Sequence, residues 1–273
     1  MDKNNLELKA KEIRYHTMDA IGTLGVGHIG GCLSVADVLS VLYFGGHMNI
    51  DPKNPKMEGR DRFVMSKGHA GPALYATLAL KGFFPMDWLQ TLNQPETLLP
   101  SHCDMNRTPG VDMTAGSLGQ GISCAVGIAK GSKIKKDNAT IYCIIGDGEA
   151  QEGQVWEASM AAAQFKLDNL VVFLDLNKYQ IGGAVDEIMS LLDPVAKWES
   201  FGFNVQKVDG HDVAAISAAV DNAKKAKGSN KPSMIILDTV KGKGVSFVEA
   251  TPATNHNMNV SAEQKAQALK ELA

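Results

Sequence analysis

The chain has no excess of either charge: 27 Lys and Arg stand against 30 Asp and Glu in 273 residues, a net of −3. Nucleic acid and anionic lipid both call for concentrated positive charge, so this balance excludes them as the main partner. No apolar run approaches the roughly 20 residues of a membrane span. The longest candidates, such as residues 169–176, are strand-sized. The opening MDKNNLELKAKEIR is polar and amphipathic, with neither the apolar stretch nor the cleavage site of an export signal. There are four cysteines, Cys32, Cys103, Cys124 and Cys143; none forms a C-x-x-C pair and their spacing gives no zinc cluster. Scattered thiols suit a reducing compartment, so a cytoplasmic location is expected. Cys103 lies beside His102, but no third group nearby orients the pair as a nucleophile and base. Internal repeats and low-complexity segments are also missing. No G-x-G-x-x-G follows a first strand with an acidic residue about 20 positions on, which weakens a dinucleotide-binding reading.

What is present is a globular composition, 44% hydrophobic and 21% charged, with 27 glycines. A chain of this length can bury roughly 70–75% of its unfolded surface, enough for one domain over 1–273 without covalent staples. Residues 3–22 carry apolar positions at helical spacing. Helices are also expected at 33–44, 71–81, 117–134, 153–166, around 195–201, at 213–227 and at 262–272. Short, near-continuously apolar segments at 61–65, 140–145, 170–176, 204–208 and 233–239 read as strands. The stretch between Gly82 and Met113 has no clear periodicity and reads as irregular. Apolar strands alternating with helices imply an α/β fold: a parallel sheet with helices on both faces. Ligands in such sheets sit beyond the carboxyl ends of the strands, which directs attention to the loops after Met65, Ile145, Leu176 and Thr239.

The sharpest motif lies at those ends. An apolar strand runs into Gly146-Asp147-Gly148-Glu149, and thirty positions beyond Asp147 the next strand ends in Asp175-Leu176-Asn177-Lys178-Tyr179. One helix separates the two strands, so they are expected to be neighbours with Asp147 and Asn177 at one edge. A carboxylate, an amide oxygen and a backbone carbonyl are hard oxygen ligands. Completed by phosphate oxygens and water, they suit Mg²⁺ or the more tolerant Ca²⁺. Gly148 would let backbone N–H groups approach a phosphate at the start of the following helix.

Here the chain resembles a family. The stretch GDGEAQEGQVWEASMAAAQFKLDNLVVFLDLNKYQIGG, residues 146–183, is similar to the thiamine diphosphate motif of transketolases. The resemblance runs from about residue 8 to the end and includes GHIGG, DRFVMSKGHAGPALYA, TPGVDMTAGSLGQGIS and TVKGKGVSF in order. It is nearest to the N-terminal, diphosphate-binding (PP) module that occurs as a separate subunit in split transketolases. The resemblance implies that Asp147, Asn177 and the Tyr179 carbonyl hold Mg²⁺ or Ca²⁺. It implies that Gly148 and Lys241 meet the diphosphate with His69 close by. Gly116, Ser117 and Leu118 would line the cofactor, Ile181 would pack on its ring, and Glu152 would join a carboxylate network across a subunit interface. His28, His102 and His256 would surround the carbonyl and hydroxyls of a ketose, with His256 also near the cofactor.

The residues themselves agree for two of these histidines. His28 and His69 each sit among glycines, where an imidazole fills no core and is presented on tight backbone. His16, His47 and His211 have no such setting and read as structural. The cofactor works through a nucleophilic carbon that attacks a carbonyl and then stores a carbanion. Its activating glutamate normally comes from a pyrimidine-binding module that follows in the same chain. The resemblance therefore implies a second, C-terminal subunit carrying that glutamate and phosphate-binding arginines, in an α2β2 assembly. The small-residue helices 117–134 and 153–166 are candidates for the contact, with internal packing as the alternative. The sequence departs from the family in having Asn255-His256-Asn257 for Trp-His-Gly, Gly183 for Asp, and Ile29-Gly30-Gly31 for a proline-containing run. These departures suggest a modified ketose donor. Other thiamine diphosphate enzymes, a deoxyxylulose-phosphate synthase or a dehydrogenase subunit, and a non-catalytic scaffold remain as alternatives.

Overall fold

The structure is a computed structural model that describes residues 2–273. Its elements in chain order are α1 (Lys3–Leu24), β1 (Val26–Gly27), α2 (Gly30–Leu33), α3 (Ala36–Phe44), β2 (Arg62–Met65), α4 (Gly71–Lys81), α5 (Gln120–Lys135) and β3 (Ile141–Gly146). There follow α6 (Gly153–Gln164), β4 (Leu170–Leu176), β5 (Tyr179–Gln180), β6 (Gly183–Ala184), α7 (Val185–Ile188), α8 (Pro194–Ser200) and β7 (Asn204–Asp209). The chain closes with α9 (Val213–Lys225), β8 (Ser233–Asp238), α10 (Ser246–Glu249), β9 (Met258–Asn259) and α11 (Ala262–Glu271).

The main sheet has the order β2-β3-β4-β8-β7, and every pair in it is parallel. Alternate residues of each strand feed two different cores, as the period-two geometry of a strand requires. On β3, Tyr142 and Ile144 join a cluster with α1, α3, α4 and α9. Ile141, Cys143 and Ile145 join the opposite cluster with α5, α6 and α8. Both faces are thus apolar and covered, which is why the strands read as continuous apolar runs.

Helix boundaries follow local chemistry. Asp2 caps α1 by accepting from the Asn5 N–H at 2.9 Å, and Gly25 ends it in the left-handed region at φ +84°. Asp193 and Asp212 cap α8 and α9 in the same way. Ser261 and Gln264 form a reciprocal capping box at α11. Two short antiparallel pairs lie outside the expected pattern. β1 pairs with β9, which brings the His28 segment beside the His256 segment, and β5 pairs with β6 around the turn Ile181–Gly182. Both are too short to leave a periodic signal. The stretch 82–113 contains only a 3₁₀ segment, Met86–Thr91, and is anchored by buried Leu89, Leu92, Leu99, Cys103 and Val111.

Candidate active site

The carboxyl ends of β3 and β4 lie side by side, with Gly146 in register with Asp175. Asp147 follows β3 and Asn177 follows β4, and both are buried in one cleft. The Asp147 carboxylate accepts from the Gly148 N–H at 2.8 Å and from the Lys178 N–H. Lys178 reaches it because its backbone sits in the left-handed region at φ +73°. Burial, then the charge of Asp175, pushes the Asp147 carboxyl up to about 7. A buried carboxylate with that cost and no cationic side chain in contact fits a divalent cation. Among the described residues no group of three His, Cys, Asp or Glu could hold a metal by itself. The remaining ligands would have to come from amide and backbone oxygens and from the ligand's own phosphates, as the oxygen donors at this tip allow.

The cleft encloses about 680 Å³ including its open mouth. Ten of the residues expected at the site line it: His69, Leu118, Asp147, Gly148, Glu152, Asn177, Tyr179, Ile181, Lys241 and His256. The Tyr179 N–H donates to Asn177 Oδ1 at 3.2 Å, and Ile181 stands exposed at the tip of the β5–β6 turn. Gly148 has ordinary helical torsions; its missing side chain matters for packing, since a Cβ would come within 2.8 Å of Gln180 Cβ. Lys241, 2% exposed, follows β8 and donates to the Pro252 carbonyl at 3.2 Å. Burial and the neighbouring charge of Lys67 push it down to about 8. Gly116 and Ser117 lie on the exposed loop leading to Leu118, with Gly116 close to His102. Glu152 is exposed at the rim, at the cap position of α6.

Four of the seven histidines converge. The His28 ring is 5.5 Å from His69, 5.4 Å from His102 and 5.3 Å from His256, and His69 is 4.7 Å from His256. Burial lowers all four, His69 well below the ordinary value, and the charge of Lys241 helps push His256 down to about 3. The cluster is therefore a set of neutral imidazoles near pH 7, each with one donor and one acceptor nitrogen. Two of the other histidines tie scaffold segments together. His211 contacts Asp37 at 2.7 Å and accepts from the Val240 N–H at 2.8 Å, next to Lys241. His47 meets Ser217 Oγ at 2.8 Å.

Three charged residues at the cleft, Lys67, Asp175 and Glu149, escaped the sequence reading. Asp175 is wholly buried and bonded to Lys67, Ser34, Asn177 and Thr239. Burial raises its carboxyl, but the Lys67 charge and these bonds outweigh it and leave it below the usual range. Glu149 accepts from Ser66 Oγ, the Gly119 N–H at 2.9 Å and the Gly146 N–H at 3.0 Å, tying the 116–119 loop to the strand tip. Burial pushes Glu149 up. The available signal was a carboxylate inside an otherwise apolar strand, since such a group demands a partner. Asn255 does not line the cleft. It is fully buried, donates to the Val248 carbonyl at 2.7 Å, and packs its Oδ1 over Gly30, where a Cβ would come within 2.2 Å. The Gly30 N–H also donates to the Asn255 carbonyl at 3.2 Å.

Strand tips that present a buried aspartate and an asparagine, with a buried lysine and a histidine cluster nearby, form a candidate ligand site at the carboxyl edge of a parallel α/β sheet. Comparison with known proteins gives the family. The model for "Transketolase, thiamine diphosphate binding domain" matches residues 6–272. The chain belongs to the transketolase family. It is 54% identical over 268 residues to the 6-deoxy-6-sulfo-D-fructose transketolase subunit of a Clostridium strain, covering 98% of this chain and 96% of that one. It is 39% identical to an apulose-4-phosphate transketolase subunit of Phocaeicola vulgatus, covering 100% and 95%. The transketolase structure from Leishmania mexicana superposes with a TM-score of 0.91 at 31% identity. That match takes in 98% of this chain but only 41% of the Leishmania protein. No helix among the described residues is long and apolar enough to cross a membrane.

Proposed function

We propose that the chain is the diphosphate-binding subunit of a two-chain transketolase that moves a two-carbon ketol unit from a ketose to an aldose. The observation that carries the reading is the placement of Asp147 and Asn177 at adjacent strand tips in one cleft with Lys241, His69 and His256, beside which His28 and His102 gather. Asp147, the Asn177 amide oxygen and the Tyr179 carbonyl would hold Mg²⁺ or Ca²⁺. Gly148, Lys241 and His69 would receive the diphosphate, and Gly116, Ser117, Leu118 and Ile181 would flank the thiamine. When bound, thiamine diphosphate supplies a nucleophilic carbon and an electron sink. The chain's own part is to bind, orient and move protons. His28, His102 and His256 donate to the ketose carbonyl and hydroxyls, and a neutral imidazole accepts the C3 hydroxyl proton as the C2–C3 bond breaks. Glu152 at the exposed rim is placed to meet a partner carboxylate, and the partner contributes the glutamate that activates the cofactor.

Relatives of near-equal length named as subunits support the two-chain assembly, and α2β2 is the stoichiometry we propose, in the cytoplasm. The 54% identity to the sulfofructose subunit favours a ketose altered at its far end as donor. Other thiamine diphosphate chemistries lack such support. The test is turnover by the purified chain with and without a co-expressed C-terminal subunit, using 6-deoxy-6-sulfofructose and xylulose 5-phosphate as donors. Transfer only in the mixture, with higher kcat/KM for the sulfo-sugar, is expected. Full-rate transfer by this chain alone contradicts the two-chain reading, and equal kcat/KM for the two donors contradicts the altered ketose.

A further inference from the structure

Lys67 is the most deeply buried cation of the cleft, 1% exposed, at the turn that leads from β2 to His69. Its Nζ donates to the Gly31 carbonyl at 2.9 Å and to Asp175 Oδ2. The same Oδ2 accepts from Ser34 Oγ at 2.8 Å and from Asn177 Nδ2 at 2.8 Å, while Oδ1 accepts from Thr239 Oγ1 at 2.5 Å. Space is kept for the ammonium, since a Cβ at Gly31 would lie 3.1 Å from it. An ionised carboxylate only accepts, so it takes the NH₂ end of the Asn177 amide and leaves the oxygen for the other side. Stability alone is a poor reason for such a pair, because well-packed apolar residues commonly replace a buried ion pair at no cost.

We propose that Lys67 is a positioning residue of the cofactor site: by holding Asp175 it turns the Asn177 amide oxygen toward the cation, and so makes cofactor binding respond to the metal. The inference rests on the reading of the cleft as a thiamine diphosphate centre and adds a residue to which that reading gave no part. The hydrogen bonds of its Nζ go to the Gly31 carbonyl and to Asp175, so the proposed effect on Asn177 passes through Asp175.

The experiment is calorimetric titration of the chain, co-purified with its C-terminal subunit, with thiamine diphosphate across a range of Mg²⁺ concentrations, with thermal unfolding in parallel. Wild type, Lys67→Met and the double variant Lys67→Met/Asp175→Leu are compared. Wild-type affinity is expected to rise with Mg²⁺. Both variants should lose about tenfold or more, the scale seen when a group orienting a metal ligand is removed, and their response to Mg²⁺ should flatten. The double variant, with no buried charge left unpaired, should regain the thermal stability lost by the single one without regaining affinity. It carries the comparison if Lys67→Met does not fold. Either variant binding as tightly as wild type, with the same Mg²⁺ response, overturns the role of Lys67. Absence of binding by the wild-type two-chain complex instead overturns the reading of the whole cleft, and this inference with it.

Discussion

Asp147 and Asp175 are both buried carboxylates at adjacent strand tips, and their surroundings treat them oppositely. Asp175 has the Lys67 ammonium and three further donors, which hold its carboxyl low. Asp147 has only two backbone amides, and burial pushes it up to about 7. One residue is already satisfied by the protein; the other would be satisfied by the cation of the proposed function. The histidines show a related asymmetry. His256 is pushed down to about 3, chiefly by burial, while its ordinary value is 6.5. Below pH 6.5 the unfolded chain takes up a proton at this site that the folded chain refuses. His256 therefore costs the folded state stability as pH falls, and costs nothing above pH 7. Asp147 and Glu149 act in the opposite sense, so the effect is read as a difference. Relative to wild type, His256→Asn should gain about 1 kcal/mol between pH 7.5 and 5.5, after allowance for solvent screening of a half-buried ring. Urea unfolding at the two pH values measures it, and a constant difference contradicts it.

At the scale of elements, the five parallel strands and the helices between them were legible because both faces of the sheet are apolar. Each strand then appears as a short, continuous apolar run between helical segments. The β1–β9 and β5–β6 pairs were not legible, since two-residue strands leave no periodicity, yet they set His28 beside His256 and present Ile181. The small-residue helix α5 divides between the two readings given to it. Gly121, Ala125 and Ala129 are buried inward, whereas Gly127 and Gly131 face open space where a Cβ would meet nothing. The inner glycine is the demanding one. A Cβ at Gly121 would fall within 2.5 Å of Ser66 Oγ, at the end of β2 and against a partner of Glu149. Gly121→Ala should therefore destabilise the fold by about 1–3 kcal/mol, whereas Gly127→Ala should not. Denaturant midpoints of the two variants test this, and equal midpoints contradict it.

At the scale of the whole molecule, the proposed function makes the chain one wall of a shared site. It spans nearly all of the split-subunit relatives and well under half of the Leishmania transketolase. The strand tips, Lys241 and the histidines were readable because short motifs carry them. Lys67, Asp175 and Glu149 were not, because their roles come from contacts between segments far apart in sequence: Asp175 alone draws on residues from 34 to 239. Asn255 was readable as a departure but not as a buried one, since its packing against Gly30 depends on how two loops meet. The account stands on one divalent cation held between Asp147 and Asn177. Crystals grown with thiamine diphosphate and Mn²⁺ in place of Mg²⁺ locate that ion by anomalous scattering. A single peak bonded to Asp147, the Asn177 amide oxygen and the Tyr179 carbonyl, lost in Asp147→Ala, is the predicted result. A peak elsewhere, or one that survives the substitution, contradicts the account.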